Sequence, residues 1–194
     1  GFTESEIEKI GNTLVYIAEN VEYLSKTKAL KLLYFLEEKA ILDNGVPYFG
    51  LEWKVWKLGP VDQTLFYELS NDDGPQLLNR YISIENGEAF HAVIKSKVEF
   101  SDDEFSDYEI DLLQKTVSSV GNLTAKQLSE LSHKKGGAWQ KVAQEKDLIE
   151  RFDKGLANTS DYHVDFEGLI KGDPHKTDMY NHYFDLKEAQ RKYE

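Results

Sequence analysis

Trp53-Lys54-Val55-Trp56-Lys57-Leu58-Gly59-Pro60-Val61 is the stretch whose reading decides the fold class of this chain. From Leu51 to Leu58 the apolar positions alternate poorly, but the aromatic and β-branched content favours a short strand over a helix. Gly59-Pro60 stops that strand. Pro60 is expected in the first turn of the next helix, where its missing amide proton is no loss, with Val61, Leu65, Phe66 and Leu69 as the apolar side. Trp53 and Trp56 stand an odd number of positions apart, so they should point to opposite faces of the strand. One of the two is therefore a candidate for exposure or for the underside of another element.

Upstream, the period is helical. Ile7, Ile10, Leu14, Ile17, Ala18, Val21 and Leu24 recur at three- and four-residue steps and define one buried face of a first helix. Thr27 is the expected N-cap of a second helix, with Leu30, Leu33, Tyr34, Ala40 and Ile41 inward and Lys31, Glu37, Glu38 and Lys39 mostly facing water. Asn44-Gly45 ends it, and Pro47 prevents its resumption.

Downstream, Asn71-Asp72-Asp73-Gly74-Pro75 is a loop by composition. Tyr81 to Ile84 and Ala89 to Ile94, flanking Asn86-Gly87, have the form of a hairpin with a two-residue turn that sets Glu85 opposite Glu88. Three helices are predicted after it. Ser106-Asp107-Tyr108-Glu109 and Thr124-Ala125-Lys126-Gln127 both match the capping box, and a short helix spans about Ala138 to Lys146 after Gly136-Gly137. Beyond Gly155 the pattern loosens, with turns at Asn158-Thr159-Ser160 and Gly172-Asp173-Pro174. Order returns in a terminal helix, whose stripe of Met179, Tyr180, Tyr183, Phe184 and Leu186 suits docking on the core or meeting a partner.

At 194 residues the chain suits one domain, or one domain with a C-terminal elaboration, and is long enough to bury a full core. It contains no cysteine, which removes disulfides, thiolate chemistry and zinc ribbons and fits a reducing compartment. No apolar run reaches the roughly 20 residues needed to span a bilayer and no signal-peptide pattern opens the chain, so a cytoplasmic location is expected and no membrane. A net charge of −12 argues against binding nucleic acid through its phosphates and favours solubility or a basic protein partner. Acid concentrates from Glu99 to Asp111 without one base, a pattern that reads first as a solvated linker and helix start and second as a docking patch.

Catalytic motifs are scarce. No serine sits in a Gly-x-Ser-x-Gly elbow, and no Gly-rich loop has the Gly-Lys of a phosphate cradle. Asp178 and His182, one helical turn apart near His175 and Asp173, are the best local metal arrangement, but they lack a second helical ligand and a general-base Glu. His133 closes a helix six residues before Trp139, where a histidine more commonly bonds to backbone than catalyses. No cofactor is expected.

Three stretches in order resemble the Panacea domain, also called the SocA-like antitoxin or phage-associated GepA-like domain. They are Lys28-Ala29-Leu30-Lys31-Leu32-Leu33-Tyr34-Phe35; Trp56-Lys57-Leu58-Gly59-Pro60-Val61 with Tyr67 following; and Leu123-Thr124-Ala125 through Leu128-Ser129 to Ser132-His133 and Trp139. A Leu stands at position 58 where the family commonly has a Tyr. The resemblance implies a predominantly helical α+β domain, a helical core with a small antiparallel sheet of about three short strands. It places that domain over residues 1–154, with a C-terminal extension over 155–194 carrying the terminal helix. It also implies an antitoxin that binds a cognate protein toxin, encoded by an adjacent gene, and is not an enzyme. The alternatives are a phage- or mobile-element-associated adaptor presenting a partner to a Clp-type protease and, further off, a metal-dependent enzyme using His175 or His182. The family-matching positions are Lys31, Trp56, Lys57, Gly59, Pro60, Tyr67, His133 and Trp139. Among them Trp56, Lys57 and Tyr67 are the preferred contact candidates, because aromatic and long polar side chains around a rigid corner make an anchor patch. Pro60 is expected to fix the corner, Trp139 to pack the last core helix and His133 to bridge the two by a hydrogen bond.

Overall fold

The structure is a computed structural model that describes residues 1–87 and 91–193. In chain order the elements are α1 (Glu4–Asn20), α2 (Lys26–Asn44), β1 (Trp53–Trp56), β2 (Gly59–Asp62), α3 (Gln63–Ser70), β3 (Ile82–Asn86) and β4 (Ala92–Ser96). These are followed by α4 (Asp107–Val120), α5 (Ala125–Ser132), α6 (Ala138–Glu145), α7 (Leu148–Asp153), α8 (Phe166–Ile170) and α9 (Pro174–Arg191). The fold is the predominantly helical α+β class expected, with its strands divided between two separate antiparallel hairpins, β1–β2 and β3–β4.

α2 is the axis of the molecule. Ser25, not Thr27, caps it by accepting the Lys28 N–H at 3.2 Å, and Gly45 closes it in the left-handed region at φ 79°. Apolar residues lie all round the helix rather than on one face, so Leu32 and Leu36 are as buried as Leu33 and Ile41. α1, α3, α4, α5, α8, α9 and β2 all pack against it. That surround corrects the expectation that Lys31, Glu37 and Glu38 face water: all three are buried, and only Lys39 stays out. Glu37 has a clear compensation for its burial. Its carboxylate accepts the backbone N–H groups of Phe49, Gly50 and Leu51 at 2.8, 3.0 and 2.9 Å and the Trp53 indole N–H at 3.2 Å. Glu38 accepts the Tyr34 hydroxyl at 2.6 Å and pairs with Lys134 at 3.2 Å.

The Gly-Pro corner differs from its expected form. Gly59–Asp62 is not helical but turns back as β2, with Trp56 opposite Gly59 and Val55 opposite Pro60, so Lys57-Leu58 is a two-residue hairpin turn. Pro60 fits there because β2 is an edge strand, where a missing donor breaks no ladder. The helix starts at Gln63, capped by Asp62, whose side chain accepts the Leu65 N–H at 3.0 Å and the Glu52 N–H at 3.1 Å. The other edge of β1 is covered by residues 158–164. Val55 N–H donates to Tyr162 O at 2.8 Å, Lys57 N–H to Asn158 O at 2.9 Å, and Val164 N–H to Trp53 O at 2.9 Å.

In the second hairpin Asn86 is a strand residue opposite Ala92, and Glu85 faces Val93, so the two-residue Asn-Gly turn does not form; Gly87 N–H donates to His91 O at 2.7 Å instead. The expected strand start at Ala89, and Glu88 with it, lie outside the described residues. α4 and α5 carry both predicted capping boxes, at Ser106 and Thr124. α7 and α8 were not foreseen; each is one or two turns long, too short for a helical period to show. α9 begins at the Asp173-Pro174 pair, and along it Tyr183 donates to Phe49 O at 3.0 Å, Lys187 to Gly50 O at 2.8 Å and Lys176 to Leu42 O at 2.6 Å.

Candidate functional site

The family-matching residues meet around the β1–β2 turn. Beneath it lies the Lys31 side chain, projected from the middle of α2 and 1% exposed, with its ammonium donating to Pro60 O at 3.1 Å. Burial pushes that amine down from 10.5 to about 7. Gly59 passes directly over it at φ 116°. A Cβ there would sit 2.5 Å from Ser132 Oγ and 2.7 Å from Lys31 Cε, so both the backbone angle and the space demand glycine.

α5 ends at the same place. Ser132 donates to Ser129 O at 2.7 Å, and His133 is the C-cap, its backbone N–H reaching Ser129 O and Glu130 O. The imidazole stacks on Trp139 with centroids 3.8 Å apart and planes 14° from parallel. The expected hydrogen-bonded bridge through His133 is thus a ring stack, and the bond across the site comes from Trp139, whose indole N–H donates to Trp56 O at 2.9 Å. His133 Nε2 is buried and has no partner among the described residues. Burial, and behind it the Lys31 charge, hold the imidazole down at about 4.

Trp53 and Trp56 do point to opposite faces. Trp53 is buried against Tyr34, while Trp56 is half-exposed and meets the Phe66 ring edge-on at 5.0 Å. Together with Lys26, Leu30, Lys31, Lys57 and Leu58 these two rings line a cleft of about 480 Å³ beside the turn. Leu58, at the tip, is 64% exposed, and Tyr67 on α3 is also exposed, held by a 3.3 Å bond from Gln63. Six of the eight positions, Lys31, Trp56, Gly59, Pro60, His133 and Trp139, therefore form one packed unit under or within the hairpin. Lys57 and Tyr67 stand on its surface.

Ser132, Leu58 and Phe66 belong to the site, although sequence reasoning named them only as motif or helix-face positions and not as site residues. Leu58 is the exception with a signal: an apolar residue in a two-residue turn has nowhere to bury. The C-terminal histidines do not join the site. Asp173 is occupied as the α9 cap, and among the described residues no group of three or more His, Asp or Glu side chains stands close enough to hold a metal ion. No helix among the described residues is long and apolar enough to cross a membrane.

A central helix carrying a buried lysine, roofed by a Gly-Pro hairpin and flanked by a His-Trp stack, defines a helical domain with a structured turn for its exposed feature. Residues 30–140 match the family Antitoxin SocA-like, Panacea domain, and the chain belongs to that family. All eight positions named above fall inside the matched span. Over 121 residues the chain is 26% identical to Antitoxin SocA of Caulobacter vibrioides (strain NA1000 / CB15N), an alignment covering 62% of this chain and 60% of that one. The chain thus spans about three fifths of the length of the curated relative it matches. No solved structure gives a match.

Proposed function

We propose that the chain is the antitoxin of a toxin–antitoxin pair and neutralises a protein toxin by direct binding rather than by turnover. The observation that carries this reading is the family match, which spans the whole β1–β2 corner and its supports. The physical arrangement is consistent with a binding role: exposed Lys57 and Leu58 stand on a hairpin braced from α2, α5 and α6, with exposed Tyr67 on α3 beside it, so contact costs little ordering entropy. Trp56, Lys57 and Tyr67 are the proposed contact residues, and Lys31, Gly59, Pro60, His133 and Trp139 hold them in place. The net charge of −12 suits a basic toxin.

Co-expression with the product of the adjacent gene tests the proposal. Growth rescue together with a copurifying complex is the expected result. Absence of both removes the antitoxin role, and rescue that disappears in a Clp-deficient host would replace neutralisation by direct binding with delivery to the protease.

A further inference from the structure

The cleft beside the β1–β2 turn is an electrostatic exception on this molecule. Three lysines, Lys26, Lys31 and Lys57, line it, and among the described residues no carboxylate does. Each of the other four large cavities described has at least two carboxylates in its wall, as with Glu19 and Glu22 in one and Asp43 and Asp111 in another. On a chain of net charge −12 a wall of lysines is a local departure from the overall sign.

The lysines are graded in depth. Lys57 is exposed at the rim, Lys26 lies over the Phe66 ring at 4.2 Å and donates to Ser70 Oγ at 2.8 Å, and Lys31 is at the floor, where it donates to Pro60 O. Charged or neutral, the Lys31 amine has an N–H beyond the one given to Pro60 O. Between these charges the wall is apolar, made by Trp56, Leu58 and Phe66.

We propose that this cleft receives an acidic-apolar segment of the partner protein. In it an Asp or Glu side chain meets the lysines while a neighbouring Leu, Ile, Phe or Trp lies against Trp56, Leu58 and Phe66. This rests on the reading of the chain as a partner-binding module and adds the chemistry of what is bound. The acid elsewhere on the surface then acts as a filter: it repels an acidic segment everywhere but here, and so fixes the register of a partner that is basic overall.

The test uses the intact chain and an array of N-acetylated, C-amidated seven-residue peptides, so that side-chain carboxylates are the only anions offered. Expected are selected peptides with Asp or Glu within two positions of a large apolar residue. Their affinity should fall at least tenfold on exchange of the acid for its amide, and likewise in Lys57→Glu. A peptide bearing Lys in place of the acid should regain binding to Lys57→Glu. Absence of selection, selection of basic peptides, or binding indifferent to both Lys57→Glu and Leu58→Asp would overturn the proposal. Toxin neutralisation by the Lys57→Glu/Leu58→Asp double variant at the original level would remove the cleft as the partner's site and leave the antitoxin reading intact. Cleft-dependent peptide binding in a chain that neutralises no toxin would do the reverse.

Discussion

Replacing Lys31 by Met should make the protein more stable at neutral pH, and the gain should depend on pH in a defined way. Below about pH 7 the buried amine is charged in the folded state and carries its full desolvation cost. Between about 7 and 10.5 the unfolded chain still holds this proton while the folded one has released it, so stability rises with pH across that window. A displacement from 10.5 to about 7 corresponds to about 5 kcal/mol when complete, about 4 kcal/mol at pH 7 and about 2 kcal/mol at pH 9. Against this the variant loses the 3.1 Å bond to Pro60 O, worth about 1–2 kcal/mol. Methionine fills nearly the same volume, so Lys31→Met should be stabilised by about 2–3 kcal/mol at pH 7 and by roughly nothing at pH 9. Urea unfolding of both proteins at half-unit steps from pH 6 to 9 measures the difference directly, and effects of all other titrating groups cancel in it. Parallel pH profiles, or a variant less stable than the parent at pH 7, would refute the reasoning. If the gain is found, the lysine is retained at a cost to stability, as residues kept for function commonly are.

Four further outcomes follow from the structure. Glu37→Ala strands three backbone donors and the Trp53 indole in the interior and should cost about 3 kcal/mol or more in chemical denaturation, with a shifted Trp fluorescence maximum. Gly59→Ala places a Cβ at φ 116° against Ser132 and Lys31 and should lower stability by more than about 2 kcal/mol in thermal unfolding. The His133 imidazole is held neutral down to about 4, whereas the unfolded chain takes up its proton below about 6.5; stability should therefore fall as pH drops through that window. Relative to His133→Phe the loss should be about 1–2 kcal/mol after allowance for partial exposure, read from paired denaturation curves. Tyr67→Ala should leave the unfolding midpoint within about 0.5 kcal/mol of the parent, since the ring is exposed, while weakening any complex with the toxin measured by calorimetry.

The helices with a sharp local signal were legible in the sequence: the apolar period of α1, both capping boxes and the Gly45 stop of α2 are local chemistry and survive folding. What was not legible is global. Nothing local to Lys31, Glu37 or Glu38 says that α2 will be surrounded on all sides, because their partners, Pro60, the backbone of 49–51 and Lys134, come from other parts of the chain. Pro60 was misplaced for a similar reason. A proline suits the first turn of a helix and an edge strand equally well, and only the pairing of β2 with β1 decides between them. Around the candidate site, strand alternation alone foretold the division of Trp53 and Trp56 between opposite faces. His133 was misread, because residue type allows either a stack or a hydrogen bond and the structure takes the stack.

The segment 158–164 along β1 has a consequence for any shortened form of the chain. The match to the family ends at residue 140, so a cut after residue 154 looks harmless by sequence. It would strip the partners from the amides of Val55 and Lys57 and from the carbonyls of Trp53 and Val55, which now meet 158–164. The bared strand would sit next to exposed Leu58 with its hydrogen-bonding row open, a template for pairing with another chain. A truncated protein that aggregates would then report a lost seal together with the loss of α8 and α9, including buried Phe166 and Ile170, from the surround of α2.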